Sequence, residues 1–218
     1  MLKTLKIALA LGLALGFFSC SRAEPKILYE MMEKVFFDGP ERIEQRCTFF
    51  VLCEDEDGVE NLSELYLYND REGLRWLFTP EDWVVYNEDG RVWIGSRHVV
   101  MYADEPMPRG QYRTVLVNRG GERTERNFAF DIPEVSPHPF PSFSIDSGVF
   151  RLDSRYPVNR LLCYNEEGSV IETIPIPEAE EEGSISGLNL SQNVRSLALW
   201  AEDSEFRISA VTQAIAVR

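Results

Sequence analysis

Short apolar or alternating runs follow one another along most of the chain, and turn residues separate them. In the first part of the sequence the runs are 47–53, 65–68, 74–78, 83–86, 91–95, 98–102, 111–117 and 128–132. A period of two between turn signals predicts β-strands. The run 47–53, CTFFVLC, is apolar at odd and even positions, which predicts a central strand buried on both faces. The turn residues Asn87–Gly90 between two runs predict a hairpin with a four-residue loop.

The same pattern returns near the C-terminus, after a segment rich in proline. Its runs are 143–145, 149–152, 159–164, 169–176, 194–200, 206–211 and 214–218. The intervening segment Pro133–Pro141 holds four of the twelve prolines and cannot be a central strand. We therefore predict two units, 27–132 and 142–218, joined by a linker at 133–141. The alternative is one continuous sandwich that a proline crossover interrupts.

A helical period occurs at one place, directly after the N-terminal segment. Apolar residues recur there at Ile27, Leu28, Met31, Met32, Val35 and Phe36. The pattern fits a short amphipathic helix, and it fits a first strand equally well.

The predicted elements indicate an all-β protein of two antiparallel β-sandwich units. Residues 108–130, PRGQYRTVLVNRGGERTERNFAF, resemble the last two strands of an immunoglobulin-like or fibronectin-like domain. The resemblance implies that Tyr112, near the start of its strand, forms a tyrosine corner.

The first residues form a targeting segment. Lys3 and Lys6 precede the uncharged run Ile7–Phe18, which is too short to span a bilayer and fits the apolar part of a signal peptide. Cleavage by an ordinary signal peptidase after Ala23 and an uncleaved anchor are the alternatives.

The run Phe17-Phe18-Ser19-Cys20 resembles the lipobox of bacterial lipoproteins, with Phe17 where leucine is usual. The resemblance implies removal of residues 1–19, attachment of a diacylglycerol and its fatty acyl chains (such as palmitate) to Cys20, and a lipidated tether at 20–26. Ser21 follows the cysteine instead of aspartate, which by analogy with the family favours the outer membrane over the inner membrane.

The charge is strongly acidic, with 22 Lys+Arg against 36 Asp+Glu and a net charge of −14. Phosphate backbones need clustered basic residues, so nucleic acid is excluded as a partner. The predicted partners are the membrane, through the N-terminal lipid, and an envelope protein or glycan that the sequence does not identify. With two histidines and four cysteines, no metal or cofactor is indicated.

Three cysteines remain beside Cys20. Cys47 and Cys53 lie six residues apart in one predicted strand, about 20 Å when extended, and a disulfide needs Cα atoms within about 7 Å. Export permits a bond from Cys53, or from Cys47, to Cys163. The alternative is three buried thiols that pack as small apolar groups.

Aromatic residues are concentrated in the middle of the first unit. Tyr66, Tyr68, Trp76 and Trp83 are the candidate binding aromatics, because an exposed set could stack on sugar rings or form a protein hot spot. The alternative is that they fill the sandwich core.

No arrangement of residues predicts catalysis. Ser96 and His98 lie near Asp104 but lack a nucleophile motif, and His138, between prolines, is expected to face solvent. The sequence therefore predicts a non-catalytic binding or scaffold module anchored to the envelope. The alternative is a carbohydrate-active enzyme or a sugar-binding module.

Overall fold

Strands account for nearly all the regular structure. The computed structural model describes residues 23–39, 42–102, 105–177 and 180–217, and within these ranges it contains no α-helix. The signal-peptide segment and Cys20 lie outside the described residues. The strands are β1 Lys26–Asp38, β2 Ile43–Glu54, β3 Leu62–Asn69, β4 Leu74–Phe78, β5 Val84–Glu88, β6 Arg91–Val99, β7 Gly110–Asn118, β8 Arg123–Phe130, β9 Ser142–Asp146, β10 Val149–Asp153, β11 Val158–Tyr164, β12 Val170–Ile176, β13 Glu182–Ser184, β14 Ser196–Asp203, β15 Ile208–Val211 and β16 Ile215–Ala216.

Among the described residues the strands form three sheets. The largest has the order β12-β11-β14-β15-β1-β2-β6-β5, with β16 beside β14. A four-stranded sheet has the order β4-β3-β7-β8, and a three-stranded sheet has the order β13-β10-β9. No helix in the described ranges is long and apolar enough to cross a membrane.

The segment that fitted both a helix and a strand is the longest strand, β1. It pairs along its length with β2, from Lys26↔Glu54 to Asp38↔Ile43. Both faces of this strand contact apolar side chains. Met32 is buried in the first core, and Met31 packs on the opposite face against the cluster that contains Phe50. A helix would have turned only one of these faces towards an apolar layer.

Two cores lie on one face of the largest sheet. The four-stranded sheet packs over the β1–β2–β6 side, and the three-stranded sheet covers the β11–β14 side. In β14, Leu199 belongs to the second core and Ala201 to the first, and residues two apart in a strand share a face. The protein is therefore all-β, with two β-sandwich units of immunoglobulin-like type, as predicted.

The tyrosine corner predicted at Tyr112 is present. Its side chain is buried, and its hydroxyl donates to the carbonyl oxygen of Pro108 at 2.8 Å. This bond fixes the chain where it enters β7 and is typical of Greek-key sandwiches.

The two units share a sheet, and the strands that join them are parallel. Strand β1 of the first unit pairs with β15 of the second from Lys34↔Ile208 to Phe37↔Val211. Within each unit the paired strands of the described residues are antiparallel, as predicted, and the parallel pair lies at the junction between the units. Four residues from beyond the proline segment also enter the first core: Tyr156, Ala201, Ile208 and Ala210.

The segment Pro133–Pro141 contains no strand and is bonded to both units. At its start, the carbonyl oxygen of Pro133 accepts a hydrogen bond from Lys34 Nζ at 2.7 Å. Further on, Ser136 bonds to Tyr156 at 3.0 Å and His138 to Asp203 at 2.7 Å.

Two local predictions differ from the structure. The hairpin loop has two residues, Asp89 and Gly90, both at positive φ (50° and 77°), because Glu88 still pairs with Arg91. This is the geometry of a type I′ turn, whose twist suits a hairpin. The predicted strand 98–102 does not exist as a separate element, because β6 continues across a register shift opposite Cys47 and ends at Val99.

The disulfide considered between Cys53 and Cys163 is not formed. In the described part of the chain, Cys47, Cys53 and Cys163 are buried with free thiols. Cys53 and Cys47 belong to the first core and Cys163 to the second, so the thiols fill separate apolar layers. Burial raises the pKa of the Cys47 and Cys53 thiols to about 12, so they stay protonated.

We expect a fragment of residues 23–132 to lack a stable fold. It would remove β15 from the edge of β1, remove Ile208 and Ala210 from the first core, and leave the Lys34 ammonium buried without the Pro133 acceptor. A buried charge without its partner costs several kcal/mol. Amide dispersion in proton–nitrogen NMR spectra measures the outcome, with the full mature chain as reference.

A matched fragment with Lys34→Met separates the effect of the unpaired buried charge from the effect of the lost strand. We expect this variant fragment to be more stable than the unaltered fragment. A well-dispersed spectrum from the unaltered fragment 23–132 would mean that the first unit is an independent domain.

Candidate functional site

A groove of about 550 Å³ lies where the two units meet. One side is the end of the β1–β2 hairpin, and the other is the Pro133–Pro141 segment. We call it the junction groove; its described lining residues are Phe36, Arg42, Ile43, Glu44, Gln45, Pro106, Glu134, Val135, Ser136, Pro137, His138, Pro139, Phe140 and Tyr156.

Most of the groove surface is apolar. Phe36 and Phe140 line the groove and also pack against the first core, so each is partly buried and partly open to the groove. Ile43 and Val135 lie at the rim and are 43% and 79% exposed. Apolar side chains this exposed, next to a concave apolar surface, mark an interaction site.

A histidine–aspartate pair holds the middle of the proline segment. His138 Nε2 hydrogen-bonds to Asp203 Oδ2 at 2.7 Å, and the imidazole ring packs 4.8 Å from the ring of Tyr156. The other carboxylate oxygen of Asp203 accepts from the N–H groups of Glu205 at 3.0 Å and Phe206 at 3.3 Å. Asp203 is thereby fully engaged, and it fixes the position of the imidazole.

The pKa of Asp203 lies below its ordinary value. Burial by itself raises this pKa. The hydrogen bonds from His138 and from the N–H groups of Phe206 and Glu205 together lower it by more than burial raises it. The carboxylate is therefore charged at neutral pH.

The hydroxyl of Ser136 supports the same segment. It bonds to the Tyr156 hydroxyl at 3.0 Å and accepts from the N–H of His138 at 3.1 Å. Both bonds are internal to the wall of the groove, and neither couples the serine to the imidazole ring as nucleophilic catalysis requires.

Lys34 fixes the start of the segment from inside the first core. Its side chain is fully buried on β1, with Nζ 5.9 Å from the ring centre of Phe130. Burial lowers the pKa of Lys34, and the nearby Cys47 and Glu134 oppose that shift. With the Pro133 carbonyl as acceptor, this ammonium ties the linker to β1.

The predicted binding aromatics fall into two separate places. Tyr66 and Tyr68 lie on the outer face of β3 and stack on each other with ring centres 5.6 Å apart. The guanidinium of Arg113 covers Tyr68 at 4.5 Å, so these rings do not present two open faces for a sugar.

Trp76 and Trp83 pack against the first core. Trp76 also stacks near Tyr112, at 6.4 Å between ring centres, and donates its indole N–H to the Val100 carbonyl oxygen at 3.0 Å. The four candidates therefore do not form one surface, and none of them lines the junction groove.

Other candidate groups have local partners. Ser96 accepts a hydrogen bond from the N–H of His98 at 3.1 Å, while Asp104 lies outside the described residues. Within the described ranges, no group of three or more His, Cys, Asp or Glu side chains could hold a metal ion.

Sequence reasoning missed the groove because its residues come from distant positions. His138 was expected to face solvent, but it is largely covered and bonded to a residue 65 positions away. The single local signal in the sequence was Val135, an apolar residue within a proline-rich run that cannot form a central strand.

No family model matches the chain, and no curated protein matches it. Solved structures align over most of its length at low similarity. Dimeric latent PorU from Porphyromonas gingivalis aligns with 89% of this chain and 20% of its own, at 11% identity and a TM-score of 0.36. The chain thus spans about a fifth of that protein.

Two further structures align over nearly their whole length. A chimeric titin Z1Z2–Z1Z2 tandem aligns with 89% of this chain at 13% identity. Murine CEACAM1b aligns with 86% of this chain at 9% identity. In both alignments the TM-score is 0.25, and 99% of the other protein's chain is covered. Similarity at this level carries no information about the ligand or activity of the present chain.

We expect Asp203→Asn to destabilise the protein by about 1.5–3 kcal/mol at pH 7, the range for hydrogen bonds to a charged group. A carboxyl with a folded-state pKa below its unfolded value stabilises the fold above the unfolded pKa. That contribution disappears as the pH falls through the folded-state pKa, so the two proteins should converge in acid.

Urea unfolding at pH 7 and at acid pH measures the difference, and Asp153→Asn, at an exposed strand position, is the control. An equal loss of stability at both pH values, or none at pH 7, would contradict the assigned role of Asp203.

Proposed function

We propose that the chain is a lipid-anchored protein of the bacterial cell envelope that acts as a non-catalytic binding module through the junction groove. The observation that carries the proposal is the groove itself, an apolar depression whose walls come from both units and from the segment between them. Concave, largely apolar sites with a few fixed polar groups are the usual form of binding sites.

Anchoring is supported by the lipobox-like sequence and by the short distance to the folded part. Cys20 precedes Ala23 by three residues, about 10 Å at full extension. The carbonyl oxygen of Ala23 accepts a hydrogen bond from Asn118 Nδ2 at 3.0 Å, and Pro25 is buried. The lipid would therefore hold the end of the sandwich that contains the β7–β8 turn close to the membrane, and we assign that membrane to the outer one.

The groove lies at the other end of β1. This strand has 13 residues, which corresponds to about 40 Å at a rise of about 3.3 Å per residue. In the proposed orientation, the groove faces away from the anchoring bilayer and is accessible to a partner. The acidic net charge, −14 for the whole sequence, also keeps the folded part away from anionic headgroups.

We expect Cys20→Ala to abolish lipidation, because the thiol is the proposed attachment site. In phase partitioning with Triton X-114, the unaltered protein should enter the detergent phase and the variant the aqueous phase. Cys47→Ala, which removes a buried thiol, is the control and should partition with the unaltered protein. A Cys20→Ala protein in the detergent phase would contradict the lipobox interpretation.

A photo-crosslinking side chain tests the binding role in cells. With p-benzoylphenylalanine in place of Val135 at the rim of the groove, we expect a discrete adduct after irradiation. In place of Val170, which is 46% exposed and lies on the edge strand β12, we expect none. The same adducts at both positions, or none at Val135, would contradict the proposed site.

A further inference from the structure

We propose that the junction groove binds an extended segment of a partner protein in which an apolar side chain is flanked by a basic residue. The inference rests on the proposed function and specifies its ligand. Three features carry it: the backbone of one wall, the exposed apolar side chains and the charge at the rim.

The proline-rich wall of the groove is rich in hydrogen-bond acceptors. Pro133, Pro137, Pro139 and Pro141 have no N–H, while every residue of the segment has a carbonyl group. Among the described residues, Pro133 is the one member whose carbonyl accepts a protein hydrogen bond, from Lys34. The N–H groups of an extended peptide and the basic side chains of a ligand are donors for such carbonyl groups.

The apolar surface suits a side chain from such a segment. Val135 and Ile43 are exposed at the groove, and the partly buried Phe36 and Phe140 line it next to the first core. Successive side chains of an extended peptide point to opposite sides, so one can enter the groove while its neighbours stay at the rim. The aromatic ring of Tyr156 is buried beneath His138, so it offers no open face for a sugar.

The charges at the rim favour a basic neighbour. Glu134 is exposed beside Val135, and the net charge of the chain is −14. Glu44 is already paired with Arg46 at 3.3 Å, and Arg42 has an interaction partner of its own. Glu134 also acts on the buried Lys34 ammonium, but its side chain is exposed at the rim, so a lysine or arginine next to the apolar anchor would complement it.

Selection from a phage-displayed library of random dodecapeptides tests the proposal. The target is the full mature chain with Cys20→Ser, which needs no detergent. We expect enriched peptides with an apolar residue next to lysine or arginine, and fluorescence anisotropy of a labelled peptide then gives its affinity.

Two exposed positions of the groove are altered without touching the core. We expect Val135→Ser to weaken binding about tenfold, since it removes a valine from an apolar contact, and Glu134→Gln about threefold. The controls Val170→Ser and Glu166→Gln remove an exposed valine and an exposed carboxylate from the second unit and should leave the affinity unchanged. The loss with Glu134→Gln should shrink as salt is raised, since salt screens an exposed charge pair.

The proposal is overturned if no peptide is enriched, if the enriched peptides are acidic, or if the controls weaken binding as much as the groove variants. An adduct at Val135 in cells without any enriched peptide would leave the binding role intact and remove the peptide class. Absence of both the adduct and enriched peptides would remove the binding role as well.

Discussion

Parallel pairing between β1 and β15 joins two sandwiches that are otherwise antiparallel. It extends one sheet through both units and leaves the four-stranded and three-stranded sheets as separate covers over the same face. Because Ile208 and Ala210 of β15 enter the first core, the units meet through packed side chains as well as through backbone bonds. The proline segment then has to cross a fixed distance, and its path along the junction creates the groove.

Lys34 shows how a polar group can define that path. An ammonium in a protein core is costly, and an apolar residue of similar size is often as stable or more so. What the lysine adds is a directed bond to the Pro133 carbonyl, which no apolar side chain can make. Directed hydrogen bonds also tie the segment to the second unit, from His138 to Asp203 and from Ser136 to Tyr156. The segment is thus a bonded wall of the groove, although its prolines exclude it from every sheet.

The division of the aromatics follows from strand geometry. In β3, Tyr66 and Tyr68 alternate with the buried Leu65 and Leu67, so the tyrosines face outwards. In β4, the register Leu67↔Trp76 places the tryptophan on the inner face. A cluster that is dense in the sequence is therefore divided between two faces of one sheet, and the exposed apolar surface with the clearest binding character lies elsewhere, at the junction.

Local pattern was sufficient to predict the all-β class and most strand positions, since alternation and turn residues act between near neighbours. The tyrosine corner was implied by the resemblance of residues 108–130 to immunoglobulin-like domains. Local pattern also predicted that Pro133–Pro141 stays outside the sheets, because a residue without an N–H cannot extend a ladder. The sequence could not predict the β1–β15 pairing or the bond between His138 and Asp203, which join distant residues through contacts that no local period encodes. The helix-or-strand ambiguity of residues 27–36 was resolved only by two apolar layers, one on each face of β1. The groove belongs to the same class of feature, because its walls exist only once both units are packed on one sheet.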